Sequence, residues 1–127
     1  MANPEHVEIL KQGAEAWNKW RKVYPEVVPD LAKAYLVGAN LCHANLYGAK
    51  LSNADLSESK LLEVELSEAD LTSANLSNSD LTRIFHEKEM ANPFQAYKIR
   101  LNANSKKGIR RDRLYTHPTR FPRFQTS

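Results

Sequence analysis

Leucine recurs at every fifth position through the middle of the chain, from Leu31 to Leu81, with mostly polar residues between. On an α-helix, five residues advance the side chain by about 140° beyond a full turn, so these leucines would spiral around every face. On a straight strand an odd period alternates between the two sides, so half of the leucines would face water. Neither regular element buries the set, and the pattern predicts a chain that changes direction once per repeat.

A small residue usually stands two positions before each leucine. Residues two apart on an extended segment point to the same side, so each unit offers one large and one small inward group. The remaining polar residues and glycines suit a corner, so repeated units would wind the chain into a solenoid. Ten units run from Leu36 to Leu81. The predicted core comprises Leu36, Leu41, Leu46, Leu51, Leu56, Leu61, Leu66, Leu71, Leu76 and Leu81, with Ala34, Ala39, Ala44, Ala49, Ala54, Ala69 and Ala74.

The repeats resemble a known family. The stretch GANLCHANLYGAKLSNADLSE is similar to the pentapeptide-repeat family, whose consensus is A(D/N)LXX, and the similarity extends over about residues 29–83. The resemblance implies a mainly β fold, a right-handed quadrilateral β-helix with four units per coil and with the leucine and the preceding alanine inside. The ten units would then make about 2.5 coils. The segment HVEILKQGAEAWNKWR also resembles the N-terminal extension of many such proteins, commonly cyanobacterial ones.

The N-terminal segment, residues 1–28, predicts a capping helix and a linker. Helical spacing of apolar residues indicates one helix from about Pro4 to Lys22, with Asn3 as its cap. Trp17 and Trp20 are interpreted as covering the open first coil, the alternative being a ligand or partner site.

The repeat code fails after Leu81. Residues 84–103 are predicted to form a C-terminal cap with a short helix at about 93–103, because Asn92-Pro93 resembles a helix start. Residues 104–127 form a basic tail without helical or strand periodicity.

Charge divides the chain into an acidic body and this basic tail. Residues 1–82 carry 7 basic and 12 acidic side chains, whereas residues 83–127 carry 11 and 3. Three interpretations of the tail stay open: phosphate binding, folding against the acidic body, or disorder without a selected role. The candidate nucleic-acid contacts are Lys106, Lys107, Arg110, Arg111 and Arg113.

Little in the sequence indicates catalysis or a cofactor. The four histidines lack zinc-type spacing, and the weak metal hypothesis at Cys42-His43 would need Glu63 from the next coil. One cysteine excludes a disulfide framework. No signal peptide or bilayer-length apolar run is evident, so a cytoplasmic protein is expected.

The sequence therefore favours a non-enzymatic scaffold or interaction module that binds a protein partner, without a cofactor, metal or membrane. Nucleic-acid binding through the tail is one alternative. A second alternative follows from the resemblance alone, since fluoroquinolone-resistance members of the family mimic DNA and bind DNA gyrase. The short array and the basic tail argue against that alternative.

Overall fold

Parallel bridges between residues 20 apart define the architecture of the chain. The structure, a computed structural model, describes residues 1–81, 99–100 and 102–107. Four five-residue units therefore make one coil, and equivalent units of successive coils stack as four faces. Face 1 carries the Leu31, Leu51 and Leu71 units, and faces 2, 3 and 4 follow in chain order. The bridged pairs are Asp30–Lys50, Tyr35–Asp55, Asn40–Lys60, Asn45–Glu65, Lys50–Asp70, Asp55–Asn75 and Lys60–Asp80.

Each face repeats one hydrogen-bond pattern between coils. On face 2 the Leu36 N–H donates to the Asp55 carbonyl at 2.8 Å, and the Asp55 N–H donates to the Ala34 carbonyl at 2.9 Å. The Gly38 N–H adds a bond to the Ser57 carbonyl at 2.9 Å. These three bonds per unit pair backbone N–H and carbonyl groups that would otherwise be buried without a partner.

The leucines fill the interior of the coils. Every leucine of the period from Leu31 to Leu81 is at most 3% exposed. Burial of each such side chain is worth about 1.5–3 kcal/mol, so the leucine columns are the main source of stability. Where serine replaces the small alanine, as at Ser59, its hydroxyl donates to the Leu56 carbonyl at 2.6 Å. Ala39 differs from the prediction, because it is only partly buried at the first coil.

The second residue after each leucine adopts a left-handed conformation that turns the corner. Gly38 and Gly48 do so at φ +70° and +66°. The same conformation is adopted by Lys33, His43, Asn53, Glu58, Glu63, Glu68, Ser73 and Asn78. An Asn or Asp before the leucine supports the turn, since Asp55 Oδ1 accepts the Ser57 N–H at 3.1 Å.

Two helices precede the coils, where the sequence predicts a single one. α1 spans Pro4–Lys11 and α2 spans Ala14–Val23. The chain breaks between them at Gly13, whose φ of +113° is a conformation that only glycine adopts readily. Asn3 caps α1 by accepting the Glu5 N–H at 2.9 Å.

The C-terminal cap also differs from the prediction. Arg100 pairs with Asp70, 30 residues away instead of 20, so the predicted helix at about 93–103 is wrong at this residue. Ile99 explains the pairing, because it takes the inward position before the rung and is 7% exposed. A short helix, α3, spans Ala103–Lys107 and includes the first residues of the predicted irregular tail. The remainder of the predicted cap and tail lies outside the described residues.

Asn102 fastens α3 to the coil. Its Oδ1 accepts the N–H groups of Ser73 and Ser105, both at 3.1 Å. Ser105 is fully buried, which gives this end of the described chain a fixed anchor on face 1. None of the helices in the described part of the chain is long and apolar enough to cross a membrane.

Candidate functional site

Side chains of α2 occupy the bonding positions that a further coil would fill above face 4. Trp17 Nε1 donates to the Asn45 carbonyl at 2.7 Å, and the Asn45 N–H donates to Asn18 Oδ1 at 2.7 Å. Arg21 donates to the Tyr47 carbonyl at 2.9 Å. Trp17 is fully buried in this position, and burial lowers the pKa of the Arg21 guanidinium. The edge of face 4 is therefore closed by side chains instead of by a strand.

Residues of α1 and its cap close face 1 in the same way. The Asp30 N–H donates to His6 Nδ1 at 3.0 Å, and the Asn3 N–H donates to the Asp30 carbonyl at 2.9 Å. Because Nδ1 accepts this bond, the geometry assigns the ring proton of His6 to Nε2. Trp20 packs on the His6 ring with centroids 4.8 Å apart. Trp17 therefore closes face 4 directly, whereas Trp20 supports the closure of face 1 through His6.

Faces 2 and 3 of the first coil keep an open edge. Among the described residues, nothing pairs with the N–H or carbonyl of Tyr35 and Asn40, or with the carbonyls of Val37 and Cys42. A recess of about 650 Å³ lies along this edge. It is lined by Leu10, Lys11, Gly13, Ala14, Tyr35, Leu36, Val37, Ala39, Asn40, Leu41, Cys42 and His43. The exposure of Ala39 follows from its place at this recess.

Two tyrosines project from the outer faces of the first coil. Tyr35 is 69% exposed and Tyr47 is 45% exposed. The Tyr47 hydroxyl donates to Glu68 Oε2 at 3.0 Å, and this bond to a carboxylate raises the pKa of the tyrosine. Leu62, an outward leucine of face 3, is half-buried. These side chains give the polar surface a few apolar contact points.

The hypothetical metal ligands do not assemble into a site. His43 Nδ1 lies 3.2 Å from Glu63 Oε1 at the corner between faces 3 and 4. Cys42 is a half-buried free thiol on the neighbouring recess. Across residues 1–81, 99–100 and 102–107, no three His, Cys, Asp or Glu side chains converge as metal ligands would.

The candidate nucleic-acid contacts fall mostly beyond the described residues. Lys106 and Lys107 belong to α3, whereas Arg110, Arg111 and Arg113 lie outside the described part. The sequence analysis missed Asn18, Arg21 and His6 as edge-closing residues. No sequence signal marks them, since their role depends on how α1 and α2 lie across the coil.

Comparison with known families supports the repeat assignment. Residues 30–61 and 49–84 match the family model described as pentapeptide repeats, in eight copies. Such repeats form right-handed β-helical solenoids, in agreement with the stacked rungs seen between Asp30 and Leu81. No curated protein and no solved structure gives a significant match to the chain.

Proposed function

We propose that this chain, whose residues 30–84 match the pentapeptide-repeat family, is a non-enzymatic scaffold that binds a protein partner. Repeat solenoids of this kind generally serve as structural or interaction proteins. Stacked rungs with a filled leucine interior hold the outer side chains in fixed positions, so the faces of the coils can act as a preorganised surface. We place the protein in the cytoplasm, where a single thiol such as Cys42 stays reduced.

The exposed tyrosines of the first coil are the observation that carries this proposal. Tyrosine is enriched in protein interfaces because its ring buries a large apolar area while its hydroxyl remains able to bond. The Tyr47 hydroxyl already bonds to Glu68, which restricts the side chain, so less conformational freedom is lost on contact with a partner. A partner that covers Tyr47 would also cover the polar rungs of face 4.

Affinity capture with the full chain tests the proposal. The wild-type protein is compared with Tyr47→Ala, and with Lys50→Ala as a control at another exposed position. Circular dichroism and melting must first show that all three proteins are equally folded. We expect to capture at least one partner protein that the wild type and the Lys50→Ala control retain equally. Tyr47→Ala should retain several-fold less of it.

The proposal fails if the folded wild type retains nothing beyond what an unfolded Leu56→Asp bait retains. It also fails in its choice of surface if Tyr47→Ala captures the same proteins to the same extent as the control. Both outcomes are measured by quantitative mass spectrometry of the captured material.

A further inference from the structure

The open edge of faces 2 and 3 has the hydrogen-bond pattern of a strand that awaits a partner. Tyr35 stands one coil above Asp55, whose N–H and carbonyl both bond to the coil above at 2.9 Å and 2.8 Å. The corresponding groups of Tyr35 find no partner among the described residues, nor does the carbonyl of Val37. Face 3 repeats the arrangement at Asn40 and Cys42. An added extended segment could therefore make three backbone bonds per face, as the coils make with each other.

The shape of this end favours a slender occupant. The helices close faces 1 and 4, and residues where α1 ends and α2 begins, Lys11, Gly13 and Ala14, form one wall of the recess. A helix is about 10 Å thick, so α1 and α2 stand above the neighbouring open edge. A flat surface would meet the helices before it reached that edge. An extended peptide fits such an edge, and the volume of about 650 Å³ lies in the ordinary range for a ligand site.

The charge of the recess indicates an acidic occupant. The body is acidic, with 12 Asp and Glu against 7 Lys and Arg in residues 1–82, yet none of the described carboxylates lines the recess. Lys11 is exposed on its wall, and the exposed Tyr35 and the half-buried Val37 and Ala39 offer apolar contact beside it. Acidic side chains on the outer side of a bound strand, with small or apolar ones inward, would complement both features.

We propose that this recess binds an extended acidic peptide segment of a partner protein, which adds as a β-segment along residues 35–42. The inference goes beyond the proposed function, because it names a second site and the chemical class of partner that this site would bind. Backbone bonds supply the affinity, and Lys11 supplies the preference for carboxylates.

A peptide with the repeat pattern serves as the probe in the test. The acetylated, amidated peptide ELSEADLTSA, identical to residues 65–74, carries three carboxylates. The alanine and the leucine of its Ala-Asp-Leu unit correspond to inward positions of the repeat. It is added to the full-length ¹⁵N-labelled protein. We expect the amides of Tyr35 and Asn40 to shift and to gain protection from hydrogen exchange. The amides of Asp55 and Lys60, already bonded to Ala34 and Ala39 at 2.9 Å, are the internal controls.

The single cysteine provides a second measurement. Cys42 lines the recess and is the one cysteine of the chain, so alkylation by N-ethylmaleimide reports directly on occupancy. Bound peptide should slow the alkylation. Lys11→Glu should weaken peptide binding about two- to five-fold, the effect of one exposed charge pair, whereas Lys19→Glu on the outer side of α2 should not.

Four outcomes would overturn the inference. Unchanged alkylation and unchanged Tyr35 and Asn40 amides at millimolar peptide would exclude binding at this edge. Equal binding of a peptide with N-methylated backbone amides would exclude strand addition, and equal binding of a lysine-for-glutamate peptide would exclude the charge preference. Concentration-dependent shifts of the same amides without peptide would assign the edge to a second copy of this chain.

The inference and the proposed function can fail separately. Partner capture that depends on Tyr47 without any peptide effect at Tyr35 would remove the inference alone. Peptide binding that slows alkylation of Cys42, with no partner captured through Tyr47, would remove the proposed outer-face surface and keep the recess.

Discussion

The indole Nε1 of Trp17 donates to the carbonyl of Asn45 at 2.7 Å and ties α2 to the first rung of face 4. Trp17→Phe keeps most of the ring volume and leaves the carbonyl unpaired, so we expect a loss of about 1–3 kcal/mol in the free energy of unfolding. Urea unfolding followed by circular dichroism measures it. Trp20→Phe, at a partly exposed ring, is the control, and equal stability of the two variants would contradict the role of the bond.

Two adjacent leucines, Leu61 and Leu62, test which side of the rung faces the core of the coils. Leu61 is 1% exposed and Leu62 is only half-buried. Leu61→Asp places a carboxylate in the apolar column and should unfold the coils, because an unpaired buried charge costs several kcal/mol. Leu62→Asp should keep the wild-type circular dichroism spectrum with a small change in melting temperature. A similar loss in both variants would contradict the assignment of the two sides.

The corner residue Glu58 tests the left-handed conformation. Its φ of +59° brings Cβ close to the carbonyl oxygen, at a cost of about 1–2 kcal/mol for most residues and more for β-branched ones. Glu58→Val should therefore lower the melting temperature, whereas Glu58→Asn, a residue that tolerates this conformation, should match or exceed wild type. Lys60→Val, at an extended bridge position, should have little effect. A harmless Glu58→Val would show that the corner can change its geometry.

Asp70 gives the fold a contribution that depends on pH. The Thr72 hydroxyl donates to its carboxylate at 2.6 Å and, with the Thr72 N–H and Arg100 at 3.9 Å, holds the pKa below the ordinary 3.8 despite partial burial. A lowered folded-state pKa stabilises the fold above the unfolded-state value, and the gain is lost as pH falls through the folded-state value. The stability difference between wild type and Asp70→Asn should thus be constant near neutrality and shrink below about pH 3.8.

Chemical denaturation at several pH values measures that difference. Thr72→Val removes the strongest donor, so the pH-dependent part of the Asp70→Asn effect should be smaller in this background. A difference that grew as pH fell would have the wrong sign for a stabilised carboxylate.

Truncation separates the anchor on face 1 from the basic tail. A chain that ends at Lys107 keeps Asn102 and Ser105, whereas one that ends at Leu101 loses both. We expect the shorter chain to melt at a lower temperature and the longer one to melt like wild type. If the tail binds nucleic acid, salt-sensitive binding in a filter assay should weaken in the chain that ends at Lys107, which keeps only two of the five candidate contacts, and disappear in the chain that ends at Leu101. Equal melting of both truncations would contradict the anchor.

The sequence predicts the coils better than their ends, for a physical reason. An inward leucine is required at every rung, so the period is visible without any tertiary information. The break at Gly13 is harder to predict, because a single glycine is tolerated inside a helix. Asn18 and Arg21 close the edge through bonds from their side chains to backbone carbonyls 25 or more residues later in the sequence. No local sequence pattern predicts contacts of this kind.

The return of the chain at Arg100 did leave a signal. Leu101 stands 30 residues after Leu71 and is in phase with the five-residue period, and Ile99 precedes it by two, as the small residues precede the other leucines. The helix-like spacing of Phe94, Tyr97 and Leu101 led to the prediction of a helix that is wrong at Arg100. The open edge at Tyr35 and Asn40, in contrast, becomes evident only when the bonds of the other two faces are known.

Both ends of the array are fastened to particular faces, and this limits how the protein can change its length. α2 fits face 4 through Trp17, and Asn102 holds α3 to face 1. Loss or duplication of one five-residue unit in the coils between them would turn α3 by one face relative to α2. A change of 20 residues, one full coil, leaves both ends in register. Variants that arise by internal duplication, or that are engineered for a taller surface, should therefore gain or lose repeats in groups of four.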